Sequence, residues 1–146
     1  MDALELLEED HEKVKELFDQ AEEADEKQQR QIFQRIKTEL ETHTHIEETV
    51  FYPAMEKHQE LKKMVSEALK EHGQVKKLLR EMDSGLAGDD FESKLKDLME
   101  AVEHHAEDEE EGKMFPKIRE ILSTQDLEQL GQKLEAAKGQ RERKAG

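Results

Sequence analysis

The chain has 146 residues, of which 42% are charged and 34% hydrophobic, and it carries a net charge of −15. That length fits one domain, and the acidic balance argues against nucleic acid or an anionic membrane surface as partner, since both call for clustered lysine and arginine. No apolar run approaches the roughly 20 residues that span a bilayer, and the lack of cysteine removes disulfides, thiolate metal sites and thiol nucleophiles.

The N-terminal MDALELLEEDHEK lacks the basic region and apolar core of a signal peptide, so a cytoplasmic location is expected. Leu4, Leu7, Val14, Phe18 and Ala21 then step by three and four, which predicts a first helix from about Ala3 to Ala24. A second, from about Lys27 to Lys57, carries Phe33, Ile36, Leu40, Val50 and Ala54. A third, from about Leu61 to Met82, carries Leu61, Val65, Ala68, Val75, Leu79 and Met82. SerGlyLeuAlaGlyAspAsp at 84–90 reads as a turn, and a fourth helix starts near Asp89 with Phe91, Leu95, Leu98 and Val102. A last helix begins at Ser123 or Thr124, residue types that cap helices, and shows Leu127, Leu130, Leu134 and Ala137. Strand signals are absent. The expectation is an all-α fold: an up-down-up-down antiparallel four-helix bundle over 1–122, an amphipathic C-terminal helix packed on it over 123–139, and a flexible tail over 140–146.

Every stripe has gaps, and each gap holds a side chain that ligates metals. His11 interrupts the first, His43 and Glu47 the second, His72 the third and His105 the fourth. At about 1.5 Å per residue, His11 lies about 12 Å from the start of its helix, His72 about 16 Å from the start of its own, and His43 and Glu47 about 15–21 Å before the end of theirs. In an antiparallel bundle those heights coincide. A lone buried histidine is usually a hydrogen-bonded core residue. So many polar groups in one layer would cost several kcal/mol each unless a cation joined them.

Past His105 the fourth stripe fails, since its continuation predicts Glu109, Gly112 and Pro116 on the core face. The apolar residues that follow are Met114, Phe115, Ile118, Ile121 and Leu122, one residue out of phase with the stripe before. A π-bulge between His105 and Glu110 absorbs that slip and turns Glu110 inward; a regular helix would present Glu109 instead. An internal similarity agrees with the bulge, because Glu47 precedes Pro53 in EETVFYP by the same six residues as Glu110 precedes Pro116 in EEGKMFP. Glu107, Asp108 and Glu111 are read as a solvated face. His45 and His104 point off the stripes, His58 is read as exposed near the end of the second helix, and Phe51 and Tyr52 are read as packing beside Pro53, which should bend that helix. A ferritin-like di-iron site needs two Glu-x-x-His pairs on separate helices; only Glu8–His11 has that spacing, and Glu8 lies off its stripe. Mixed imidazole and carboxylate donors suit Fe, Mn or Zn.

The segments DHEKVKELF, HTHIEETVFYP, EHGQVKKLL and HHAEDEEEGKMFP, in this order over about residues 1–122, resemble the hemerythrin-like, or HHE cation-binding, family. The resemblance implies a four-helix bundle holding two non-haem irons, bridged by an oxo or hydroxo group. His11, His43, His72 and His105 would be terminal ligands, and Glu47 and Glu110 would bridge. O₂, peroxide or nitric oxide would be the small-molecule partner, bound or sensed, with catalysis on peroxide or nitric oxide and iron handling as alternatives. Two departures stand out. Oxygen-carrying hemerythrins place a fifth histidine one turn after the third-helix ligand, where this chain has Lys76. The spacing from His105 to Glu110 is also longer than in most HHE domains.

Overall fold

The computed structural model describes residues 1–86 and 88–145. Ala87 of the expected turn and Gly146 of the expected tail lie outside the described residues. Helix α1 spans Ala3–Glu23 and α2 spans Glu26–Ile46, which runs through a π-helical segment, Glu47–Phe51, into α3 at Tyr52–Glu56. After a 3₁₀ turn at Gln59–Leu61 come α4 (Lys62–Asp83) and α5 (Gly88–Glu103). The latter continues through a second π-helical segment, His104–Met114, into α6 (Phe115–Ile121), and α7 (Thr124–Ala145) ends the chain. There is no strand among the described residues. The expected all-α bundle of four rods with an added C-terminal helix is what forms.

Local chemistry sets the helix starts. Asp2 caps α1 by accepting from Glu5 N at 2.9 Å while the Glu5 carboxylate accepts from Asp2 N at 3.0 Å, which satisfies two donors reciprocally. Asp25 accepts from Gln28 N at 2.8 Å to cap α2, and Ser123 Oγ accepts from Asp126 N at 3.1 Å to start α7. The last helix lies against α1 and α2. At Gly131 an added Cβ would stand 2.6 Å from Met1 O, so only glycine lets the two segments approach so closely. This helix runs through 140–145, the stretch expected to be a flexible tail. Gln140, Arg141, Glu142, Arg143, Lys144 and Ala145 are all good helix formers, and charge alone does not stop a helix.

The apolar interior is split in two. One cluster gathers Leu4, Leu7, Phe51, Tyr52, Met55 and Phe115, with Leu127, Leu130 and Leu134 of α7. The other gathers Phe18, Phe33, Ile36, Leu79, Phe91 and Leu98. Each rod passes from one cluster to the other through the level of its histidine. The second rod also shifts phase: beyond Glu47 the residues at 0–1% exposure are Phe51, Tyr52 and Met55, whereas Val50 and Ala54, expected on the stripe, are only partly buried. Both phases carry apolar residues here, so periodicity could not separate them.

The two π segments share one construction. Tyr52 N–H donates to Glu47 O and Phe115 N–H donates to Glu110 O, five residues back in each case, and a proline follows at once. A proline ring crowds the carbonyl four residues before it, and a widened turn there accommodates the ring without a break. The bend expected at Pro53 is thus taken up as a π turn. The register slip expected after His105 is present as well, spread over 11 residues.

Candidate metal centre

The six residues singled out on the stripes meet in the gap between the apolar clusters. His11, His43, Glu47 and Glu110 form one group of donor atoms, and Glu47, His72 and His105 form a second, each lying within 4.8 Å of one another. Glu47 belongs to both. The two glutamates are fully buried, with 0% exposure, and His43, His72 and His105 are buried at 6%, 1% and 6%. Of the two carboxylates considered on the fourth rod, the π segment turns Glu110 inward and leaves Glu109 paired with Lys113 at 3.2 Å on the surface.

Each imidazole is oriented by a carboxylate behind it. His11 Nδ1–H donates to Glu111 at 2.7 Å, His43 Nδ1–H to Asp10 at 3.1 Å, His72 Nδ1–H to Glu48 at 2.8 Å, and His105 Nδ1–H to Glu71 at 2.7 Å. All four therefore aim Nε2 at the centre. There His11 Nε2 stands 3.2 Å from His43 Nε2, and His72 Nε2 stands 3.1 Å from His105 Nε2. A ring whose Nδ1 carries the proton has a lone pair at Nε2, and two lone pairs at that distance repel unless something positive lies between them. His43 Nε2 and His72 Nε2 also approach Glu47 Oε1, at 3.2 and 3.0 Å. Among the described residues, Glu47 Oε2 and Glu110 Oε1 have no hydrogen-bond partner; the latter comes within 3.1 Å of His11 Nε2 without the geometry of a bond. Buried, unsatisfied carboxylate oxygens facing converging imidazole lone pairs are the donor set of a cation site.

Electrostatics agree. Burial disfavours the charge on His43, but Glu47 and Asp10 outweigh it and push its pKa up to about 10. Burial opposes charge on His11 and His105 too, and the Glu110 carboxylate, joined by Glu111 and by Glu47 and Glu71 respectively, raises both. Glu47, against its own burial, is held well below the usual carboxylate range by His43, His105 and His72. Without a metal, protons must therefore take the place of positive charge. The Nε2–Nε2 contacts leave room for only one proton in each pair, whereas a cation serves both nitrogens at once.

Several participants were not foreseen. Glu111, expected on a solvated face, is half-buried and holds His11; Glu107 and Asp108 are exposed as expected. Asp10, Glu48 and Glu71 were not singled out. Asp10 is itself held by Lys138 of α7, which ties the last helix to the polar layer. Tyr52, expected only to pack, is 1% exposed and donates its hydroxyl proton to Glu110 Oε2.

The family model of the hemerythrin HHE cation binding domain matches residues 2–118. The chain belongs to that family. A solved relative, a hemerythrin HHE cation binding domain-containing protein from Mycobacterium kansasii, superposes with a TM-score of 0.84 at 30% identity, covering 97% of this chain and 87% of that one. No curated protein matches. As an HHE domain the chain has a metal-binding His/Glu cluster in a helical bundle, and no helix among the described residues is long and apolar enough to cross a membrane.

Proposed function

We propose that this HHE domain is a di-iron protein of the hemerythrin type that binds or senses O₂ or a related small oxidant or diatomic. His11, His43, His72 and His105 would be the terminal ligands, with Glu47 and Glu110 spanning the two metals. The carrying observation is the pair of donor groups joined through Glu47, with imidazole lone pairs and orphaned carboxylate oxygens facing one another. Iron, when bound, supplies the redox chemistry and the coordination positions that O₂, peroxide or nitric oxide would use.

The protein's own contribution is orientation and exclusion. The carboxylates behind the rings fix the tautomers, and the apolar clusters on either side keep water away. Val14, Leu40, Val75, Val102 and Ala106 border a small cavity of about 20 Å³ against the histidines, on the scale of a small molecule. Lys76, an ammonium paired with Glu48 at 2.8 Å, ligates nothing, so this set is one histidine short of an oxygen carrier's. That favours a second reading, turnover of peroxide or nitric oxide, over reversible carriage. Stopped-flow kinetics separate the two: many turnovers per centre mean an enzyme, one stoichiometric adduct a binder or sensor.

The primary test is metal analysis of the full chain reconstituted with ferrous iron and oxidised in air. Two irons per chain with oxo-bridge absorption are expected, and His72→Ala should lower the content. Loading that stops short of two irons, without those bands, would refute the di-iron assignment.

A further inference from the structure

The outer side of the fourth rod repeats its inner side. A π segment brings residues five apart onto one face, so it directs His105 and Glu110 to the centre and, one residue earlier, His104 and Glu109 toward α4. Glu71 of α4 stands between the two pairs. Its Oε1 accepts from His105 Nδ1–H at 2.7 Å, and its Oε2 lies 3.4 Å from His104 Nε2. Glu71, His104 and Glu109 thus bring three donor atoms within 4.8 Å of one another, outside the centre. His104 is set in the same way as the four central rings. Its Nδ1–H donates to Asp108 at 3.2 Å, which leaves Nε2 facing Glu71 Oε2 at 3.4 Å and Glu109 Oε1 at 3.6 Å.

We propose that Glu71, His104 and Glu109 form a second, outer cation site, at which a divalent metal is taken up before it passes to the buried centre. The destination rests on the metal-centre reading above; the outer site does not. Three observations carry it. The first is spacing. An Nε2–H hydrogen bond would draw one oxygen to about 2.9 Å, whereas donors held around a cation at about 2.1 Å stand about 3.4 Å from one another. Both oxygens facing His104 Nε2 keep the longer separation. The second is a path inward. Glu71 and Glu109 line a cleft of about 220 Å³ whose most deeply buried lining residue is Glu110, at 0% exposure and with Oε1 unpartnered. A cation held at the outer end therefore has a central ligand at the inner end of the same cleft. The third is charge and openness. Glu67, Glu71, Glu109 and Glu110 outnumber Lys63 and Lys113 along the cleft, which draws cations. The His104 side chain is 56% exposed, so water can complete the coordination and exchange stays easy. Lys113, the present partner of Glu109, is 64% exposed, and a surface ion pair of that kind gives way readily. One imidazole and two carboxylates suit ferrous iron, manganese or zinc.

The experiment has two arms, both on the full chain freed of metal. Crystals are soaked in zinc, which reports position without redox chemistry, and anomalous scattering locates the ions. Zinc is expected between Glu71, His104 and Glu109 as well as in the centre. In solution, ferrous iron is added without oxygen and its uptake is followed by stopped-flow competition with a coloured chelator. The double variant His104→Ala/Glu109→Gln should lose the outer zinc and load about tenfold more slowly while reaching the same final content. Glu107→Gln removes one charge from another exposed position of the same segment and should load like the wild type. His104→Gln alone serves if the double variant does not fold. Absence of zinc from the cluster would overturn the proposal, as would zinc there with unchanged loading in the variant. Equal slowing by Glu107→Gln would also overturn it, leaving only general attraction by charge. Zinc held at the cluster by a chain whose centre takes none would sustain the outer site and sink the proposed di-iron function.

Discussion

A histidine ring has two nitrogens, and a carboxylate on Nδ1 decides what Nε2 can do. Here four carboxylates make that decision, and their positions show a pattern: each follows or precedes one central residue in sequence yet serves a histidine on another helix. Asp10, beside His11, holds His43; Glu48, beside Glu47, holds His72; Glu71, beside His72, holds His105; and Glu111, beside Glu110, holds His11. The acid next to an inward residue was the available signal. In a chain of 38 acids it is a weak one, because a neighbouring glutamate facing water looks the same on paper. His11, His43, Glu47, His72 and His105 were legible for the opposite reason: imidazole and carboxylate are out of place on an apolar stripe, and the first three stripes agreed on one height, while Glu110 was legible from the phase slip after His105. Tyr52 escaped because tyrosine is at home on such a stripe. The charges at this scale carry a pH consequence. His43 rises from its ordinary 6.5 to about 10 in the folded, metal-free protein, so its contribution is complete below about 6.5 and lost as pH rises through 10. Glu47 is lowered from 4.5, so its contribution is present above that value and lost in acid. Metal-free protein should therefore be most stable between about pH 4.5 and 6.5 and lose melting temperature toward pH 9. Iron, which must displace the same protons, should bind more tightly over that rise and be released in acid. Calorimetry with and without chelator should show the iron-dependent increment growing with pH; an increment that shrank from pH 6.5 to 9 would contradict histidine ligation.

At the scale of elements, the second π segment is what brings a second carboxylate, Glu110, into a layer that α-helical spacing alone would miss. The slip after His105 was visible because the apolar phase breaks within a run of acids that cannot hide it. The slip after Glu47 was invisible because Val50 and Phe51, and then Ala54 and Met55, give both phases an apolar partner. Gly112 belongs to the same construction, since a Cβ there would meet Glu107 O at 3.0 Å in the widened helix. His43 and Glu47 sit four apart on α-helix, whereas His105 and Glu110 sit five apart on the π segment, and both pairs face inward. Deleting one residue should thus have opposite results in the two places. Removing exposed Asp108 shortens the second spacing to four and lets an α-helix deliver His105 and Glu110 to the same face, so two-metal binding should survive. Removing exposed His45 shortens the first spacing to three and turns Glu47 by about 100° relative to His43, so metal should be lost. Metal content of the two deletion variants, each checked for helicity by circular dichroism, is the measurement. Equal loss in both would mean that the π segment is needed for more than spacing.

For the whole molecule, the polar layer is a plane of weakness set across the core. Above and below it the apolar clusters hold the rods together by burial, but within it imidazoles and carboxylates face one another, and the unsatisfied oxygens of Glu47 and Glu110 favour opening. A net charge of −15 adds general repulsion that a pair of divalent or trivalent cations would partly offset. The metal should therefore act as a tie as well as a reactive centre, and α7, which packs into the cluster around Leu4 and Phe51 and reaches the layer through Lys138 and Asp10, should feel its removal. A ligand at about 100 times its dissociation constant stabilises the folded state by about 2.7 kcal/mol. In a chain of this size that corresponds to a rise of about 5–10 °C in melting temperature. Chelation should reverse it. Hydrogen exchange should locate the effect: amides flanking His11, Glu47, His72 and His105 should lose protection on chelation, while those around Phe33 and Phe91 in the other cluster should change little. Uniform loss across both clusters would show that the layer is not a separate unit and that the bundle opens as one.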